Sequence, residues 1–144
     1  LSFGPNVSQL QAPSDVPDTF SGRLTTHVLD TVKGGPAVGM PVELYAREVS
    51  PGGCAEGRWL SLRSVVTNSD GRVDGPLLSG EDFRPGYYRL VFDVDGYFRS
   101  QGADLPQPAF LGKVTLDFGV ADGQSHYHVP LLVSPWAYST YRGS

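Results

Sequence analysis

An all-β chain, folded as a two-sheet sandwich of about eight strands with one short helix, is what this sequence predicts. Three observations carry that expectation. Short runs rich in Val, Leu, Tyr and Thr recur along the 144 residues. Gly, Pro, Asp and Asn separate them, and eighteen glycines and twelve prolines suit a chain that turns often. Only one brief stretch reads as a helix, so there is nothing to build βαβ crossovers with.

The elements follow in order. Residues 1–22 mix Pro, Gly and Ser with no apolar period and read as a leader or linker ahead of a domain at 23–144. Strands are expected at 23–32 (RLTTHVLDTV), 41–48 (PVELYARE), 58–67 (RWLSLRSVVT), 87–94 (YYRLVFDV), 113–120 (KVTLDFGV), 126–133 (HYHVPLLV) and 136–143 (WAYSTYRG). RVDGPLL adds a short piece after the turn NSDG at 68–71, and the helix falls near DGYFRSQG, 95–102. The last strand carries no charge before Arg142. Charges usually guard an edge strand against pairing with another chain, so subunit association is expected there.

Composition narrows the function. Eleven basic residues against fifteen acidic leave a net charge of −4, whereas a nucleic-acid partner calls for a basic face. No run approaches the about 18 apolar residues of a spanning helix, so no membrane partner is expected. Cys54, the one cysteine, sits in SPGGCAEG. It reads as an exposed loop thiol with no intrachain disulfide partner and nothing nearby to activate it.

There are three histidines, His27, His126 and His128, and all fall inside expected strands. Side chains alternate faces along a strand. His27 therefore shares a face with Thr25 and Leu29, opposite Leu24, Thr26 and Val28. His126, His128, Pro130 and Leu132 share another, and so do Ala137, Ser139 and Tyr141. Three readings of the histidines stand side by side. They are ordinary surface groups; or His27 with the H-x-H pair holds a divalent metal; or neutral imidazole serves as general acid and base near working pH. Arg72, after the turn TNSDGR, is either a solvated arginine or a fixed guanidinium that holds a carbonyl-rich or anionic ligand.

Three stretches, LTTHVLDTVKGGPAVGMPVELY (24–45), TNSDGRV (67–73) and HYHVPLLVSPWAYSTYRGS (126–144), resemble the transthyretin-like 5-hydroxyisourate hydrolases, and YRGS is the most specific of their elements. The resemblance covers residues 24–144. It implies an eight-stranded sandwich, edge-to-edge dimers, and a homotetramer with active sites at the dimer–dimer channel, where the last strand would lie. It implies hydrolysis of 5-hydroxyisourate to 2-oxo-4-hydroxy-4-carboxy-5-ureidoimidazoline in urate degradation, with no metal or organic cofactor. The family's histidines fall on His27 and His128, its arginine on Arg72, its terminal tyrosine on Tyr141 and its terminal serine on Ser144. On that pattern His27, His128, Arg72 and Ser144 are catalytic, and His27, Arg72 and Tyr141 bind substrate. One histidine activates water while the other orients it or protonates the leaving nitrogen; which does which stays open. Ser144 is out of parity with Tyr141 and acts through its hydroxyl or its carboxylate. His126 is expected to be exposed or a supporting partner. A small-ligand carrier without turnover is the alternative from the same fold.

The chain also departs from the pattern. The connection REVSPGGCAEGRW (47–59) looks long for the family, and Trp136 and Ala137 stand where Tyr and Gly are common. Residues 1–22 resemble the linker of a fusion to, or association with, the decarboxylase that acts later in the same pathway. A cytoplasmic location is expected, with periplasmic and peroxisomal ones open.

Overall fold

The computed structural model describes residues 21–48 and 57–144. Cys54, most of the long connection at 47–59 and most of the leader at 1–22 therefore lie outside the described residues. Two sheets face each other. The first contains β1 (Arg23–Asp30), β2 (Gly35–Pro36), β5 (Leu78–Ser79), β8 (His126–Val133) and β9 (Tyr138–Thr140), in the order β2-β1-β8-β9 with β5 also on β1. The second runs β4-β3-β6-β7, from β3 (Pro41–Arg47), β4 (Trp59–Val66), β6 (Gly86–Asp93) and β7 (Lys113–Val120). The helix α1 spans Val94–Ser100, with the Asp93 carboxylate accepting from Gly96 N at its start.

Sequence and structure agree closely on the long strands. β7 and β8 match their expected limits, and β1 ends two residues early because Thr31 to Gly34 turn the chain. Two differences matter. The final strand is only Tyr138–Thr140, followed by a single bridge between His128 and Gly143. The two-residue β2 was not expected, since Gly-Pro carries no strand signature and pairs only because it folds back on Leu29 and Asp30.

Alternation explains the core. Leu24, Thr26, Val28 and Asp30 of β1 are buried, while Thr25, His27 and Leu29 are half-buried on the other face. Leu24, Val28, Leu44, Leu90, Phe92, Leu131 and Val133 join across the gap between sheets. Each such side chain contributes about 1.5–3 kcal/mol on leaving water. The buried polar groups are paired, as they must be. Thr26 Oγ1 donates to the Val129 carbonyl at 2.7 Å. Tyr97 OH donates to Asp30 Oδ2 at 2.8 Å, and Val32 N and Lys33 N donate to Oδ1. Thr67 Oγ1 donates to the Ala37 carbonyl and accepts from Met40 N.

The pairing that matters most for the site is β1 beside β8. It is parallel, with Thr25 opposite His128 and His27 opposite Pro130. Segments about a hundred positions apart in the chain thus become neighbours, and their polar faces merge into one outer surface.

Candidate active site

On that outer surface His27 and His128 project side by side. Their ring centroids are 6.3 Å apart with a 38° tilt. That spacing is too wide for a direct hydrogen bond between the rings and leaves room for a reacting atom.

Arg72 reaches the pair from the turn after β4. The Asn68 side-chain oxygen accepts from Asp70 N at 2.9 Å and Arg72 N at 3.1 Å, and Asn68 N donates to the Arg72 carbonyl at 2.7 Å. This self-bonded turn docks on β1, where Val28 N donates to the Gly71 carbonyl at 2.8 Å. His27 and Arg72 form an isolated antiparallel bridge there. Gly71 has φ +74°, and a Cβ on it would stand 2.5 Å from the Val28 carbonyl oxygen. Only glycine allows both the left-handed backbone and so close an approach.

The same turn fixes one tautomer. His27 Nε2 lies 3.0 Å from the Asp70 carbonyl oxygen. A carbonyl only accepts, so Nε2 carries the proton and Nδ1 is the basic nitrogen of neutral His27. His128 is held through its other nitrogen, with Nδ1 2.8 Å from Thr25 Oγ1.

Electrostatics keep both rings neutral near pH 7. Burial first, and then the Arg72 guanidinium, push His27 below the ordinary histidine value, although the Asp70 carbonyl and carboxylate pull the other way. His128 is lowered by burial, then by Arg72, then by His27. A cation beside two imidazoles disfavours a second positive charge. Free base is therefore available for proton transfer, and the guanidinium faces whatever negative charge develops.

An open hollow of about 530 Å³ lies beside these groups, lined by Arg23, Thr25, Arg72, His126, His128 and Ser144 among others. Ser144 reaches it because the bridge at Gly143 holds the tail on β8, with His128 N donating to the Gly143 carbonyl at 3.1 Å and Gly143 N to the His128 carbonyl at 2.7 Å. A Cβ at Gly143 would lie 3.1 Å from the His128 Cβ and 3.2 Å from its Cδ2, so glycine there leaves the imidazole its space.

The single chain thus brings together four of the expected residues: Arg72, His128 and Ser144 line the hollow, and His27 stands next to His128 without lining it. It does not bring Tyr141 to this hollow. Tyr141 is 61% exposed, and it lines a separate hollow of about 450 Å³ bordered by β7 and β9. Arg142 lines the same second hollow and stacks its guanidinium 4.1 Å from the Tyr127 ring. His126 is exposed at the rim. Among the described residues no group of three or more His, Cys, Asp or Glu is placed to hold a metal. Thr25 and Arg23 were not expected in the site. Parity put Thr25 on the His27 face, but its contact with His128 needed the parallel β1–β8 pairing.

Known proteins are similar to this chain in sequence and architecture. A family model described as the HIUase/Transthyretin family matches residues 24–143. 5-Hydroxyisourate hydrolase 2 of Rhizobium meliloti (strain 1021) is 60% identical over 124 residues, which span 86% of this chain and 98% of that protein. The 5-hydroxyisourate hydrolase of Mus musculus is 43% identical over 126 residues, covering 88% and 98%. Among solved structures, sea bream transthyretin in complex with thyroxine superimposes with a TM-score of 0.71 at 29% identity, covering 84% of this chain and 94% of that one. (S)-Allantoin synthase superimposes with a TM-score of 0.78 at 43% identity over 88% of this chain, which spans 45% of the longer synthase chain.

Proposed function

The chain belongs to the HIUase/transthyretin family, and from that premise we propose that it hydrolyses 5-hydroxyisourate to 2-oxo-4-hydroxy-4-carboxy-5-ureidoimidazoline, a step of urate degradation. One observation carries the reading: His128 and Arg72 line one open hollow, and the His27 ring stands 6.3 Å from that of His128, both imidazoles having lowered pKa values. A carrier needs affinity alone and has no use for a base poised beside a cation.

The chemistry follows from those groups. A neutral imidazole takes a proton from water as the water oxygen attacks the ring carbonyl carbon. The carbonyl oxygen becomes an oxyanion, and the Arg72 guanidinium stabilises it. The tetrahedral intermediate collapses, the ring C–N bond breaks, and the nitrogen leaves with a proton returned by imidazolium. A lowered pKa helps both halves. The base is unprotonated at pH 7, and its conjugate acid gives the proton back readily. No step requires a metal or an organic cofactor.

Ser144 lines the hollow beside His128 and is assigned to substrate positioning together with Arg72. Tyr141 stands outside the hollow within one chain, and its assignment to substrate binding goes with assembly. The outer sheet face carries the half-buried Leu29 and Leu132, and Trp136 at the β8–β9 turn is 57% exposed. These apolar groups support a homotetramer in which facing sheets wall the hollows into a channel, and there Tyr141 would meet substrate.

The test is a coupled assay. Urate oxidase generates 5-hydroxyisourate in place, and loss of its absorbance is followed with the protein and with His128→Ala. Acceleration that the substitution lowers at least a hundredfold is expected, the usual scale of a general acid–base contribution (about 10²–10⁴-fold). Saturable binding with no acceleration over the spontaneous reaction would reject the hydrolase in favour of a carrier.

A further inference from the structure

Thr25 lines this hollow although the sequence assigned it no role, and its position is specific. It sits on β1 two residues before His27, on the same face, directly opposite His128 in the parallel register. Its Oγ1 is 2.8 Å from His128 Nδ1, and its side chain lines the hollow. We propose that Thr25 is a positioning residue: its hydroxyl oxygen accepts the Nδ1 proton of His128, which leaves the Nε2 lone pair as the basic nitrogen.

Neutral imidazole carries one proton, and the partner of one nitrogen decides which face is basic. Free imidazole side chains favour the proton on Nε2, so without a partner at Nδ1 the ring would keep Nδ1 as its basic nitrogen. The Thr25 hydroxyl at 2.8 Å is such a partner, and when its oxygen accepts the Nδ1 proton that preference is reversed. The arrangement mirrors His27, where the Asp70 carbonyl takes the Nε2 proton and leaves Nδ1 basic. Each histidine is thus tied through a different nitrogen, one by a turn and one by the neighbouring strand.

The hold is also rigid. Thr25 is β-branched and lies inside a strand, so its χ1 is restricted. The neighbouring Thr26 bonds the Val129 carbonyl at 2.7 Å and fixes β1 against β8 at this register. A half-buried hydroxyl on such a frame locates the imidazole plane as well as its proton. The charged and titratable groups around His128 are His27, Arg72, and, lining the same hollow, Arg23, His126 and the Ser144 carboxylate. None of them is seen bonded to Nδ1, so the tautomer rests on Thr25.

This inference rests on the proposed hydrolase for its kinetic consequence, but its physical content is testable without turnover. Protein labelled with ¹⁵N-histidine is compared with Thr25→Val and Thr25→Ser at neutral pH by long-range ¹H–¹⁵N correlation; with only three histidines, assignment needs few variants. His128 protonated at Nδ1 in the unmodified protein and in Thr25→Ser, and at Nε2 in Thr25→Val, is the expected result. His128 protonated at Nε2 in the unmodified protein overturns the proposal, and so does a tautomer unchanged in a folded Thr25→Val. In the coupled assay, Thr25→Val should lower kcat about tenfold, the rate equivalent of one neutral hydrogen bond. KM should stay within about twofold on the same argument, and Thr25→Ser should restore most of the rate. A Thr25→Ser enzyme as slow as Thr25→Val would point to lost packing instead and overturn the positioning role. Should the unmodified protein show no hydrolysis, the proposed function falls while the tautomer measurement still decides Thr25.

Discussion

Gly71→Ala offers a sharp test of how the fold builds the site. The residue has φ +74°, and an added Cβ would stand 2.5 Å from the Val28 oxygen, 3.0 Å from Pro36 Cβ and 3.3 Å from Ala37 N. The left-handed backbone alone costs an alanine about 1 kcal/mol. The clash adds more, because the Val28 oxygen cannot simply step back. It accepts from Ala37 N at 3.0 Å, while Val28 N donates to the Gly71 carbonyl at 2.8 Å. Moving the turn off β1 opens the Val28–Gly71 bond, and moving the Val28 oxygen instead opens its bond from Ala37, at about 1 kcal/mol net in either case. The sum is about 2 kcal/mol, or a fall in Tm of roughly 6–10 °C for a domain of this size. Activity should suffer as well, since the turn carries both Arg72 and the carbonyl that holds His27. We expect kcat/KM to drop at least about tenfold. Gly34→Ala is the control, having φ +73° with nothing within 4 Å of where its methyl group would stand. It should cost only the backbone term, about 1 kcal/mol, and leave kcat unchanged. The assays are thermal denaturation by circular dichroism and coupled turnover of 5-hydroxyisourate. Equal Tm losses in the two variants, or full activity in Gly71→Ala, would refute the claim that the close approach of this turn to β1 organises the site.

Two further perturbations probe charge and burial. Arg72 helps to hold both histidines below their ordinary value. Arg72→Gln removes that repulsion and lets both pKa values rise. The reactive form is neutral imidazole, so the acid limb of the pH–rate profile should move to higher pH, with more activity lost at pH 6 than at pH 8; an unmoved limb contradicts the assignment. Tyr97→Phe removes the hydroxyl that donates to the buried Asp30 at 2.8 Å. The carboxylate keeps its bonds from Val32 and Lys33 N–H but loses one partner, at a cost of about 1–2 kcal/mol. Chemical denaturation should read that loss with kcat preserved, and unchanged stability would mean that the hydroxyl is not needed to satisfy Asp30.

Much of this molecule is legible in the order of its residues. Alternation along 23–32 and 126–133 places His27 and His128 on faces opposite to buried Leu24, Val28, Leu131 and Val133, and the structure keeps those faces. Period two is a property of one strand by itself, so sequence carries it without help from neighbours. The turn at 68–71 is equally readable, because Asn, Asp and Gly encode their own backbone geometry. Less is readable near the tail. The run 136–143 looks like a continuous strand, yet pairing stops after Thr140 and returns only at Gly143. Tyr141 lies in that gap, and its distance from the hollow has no local signature.

The readable features are thus the local ones: which residues form strands, which face each side chain takes, and which turn presents Arg72. Neighbours across the fold come from tertiary packing. Parity places two histidines on two faces but does not say that β1 lies parallel to β8, or that Thr25 stands against His128. Strand partnership is set by the burial of whole sheets, a cooperative property of the core formed by Leu24, Leu44, Leu90, Phe92 and Leu131 together. The lowered histidine pKa values have the same origin, because burial and a guanidinium from a distant turn act only once the sheets have closed.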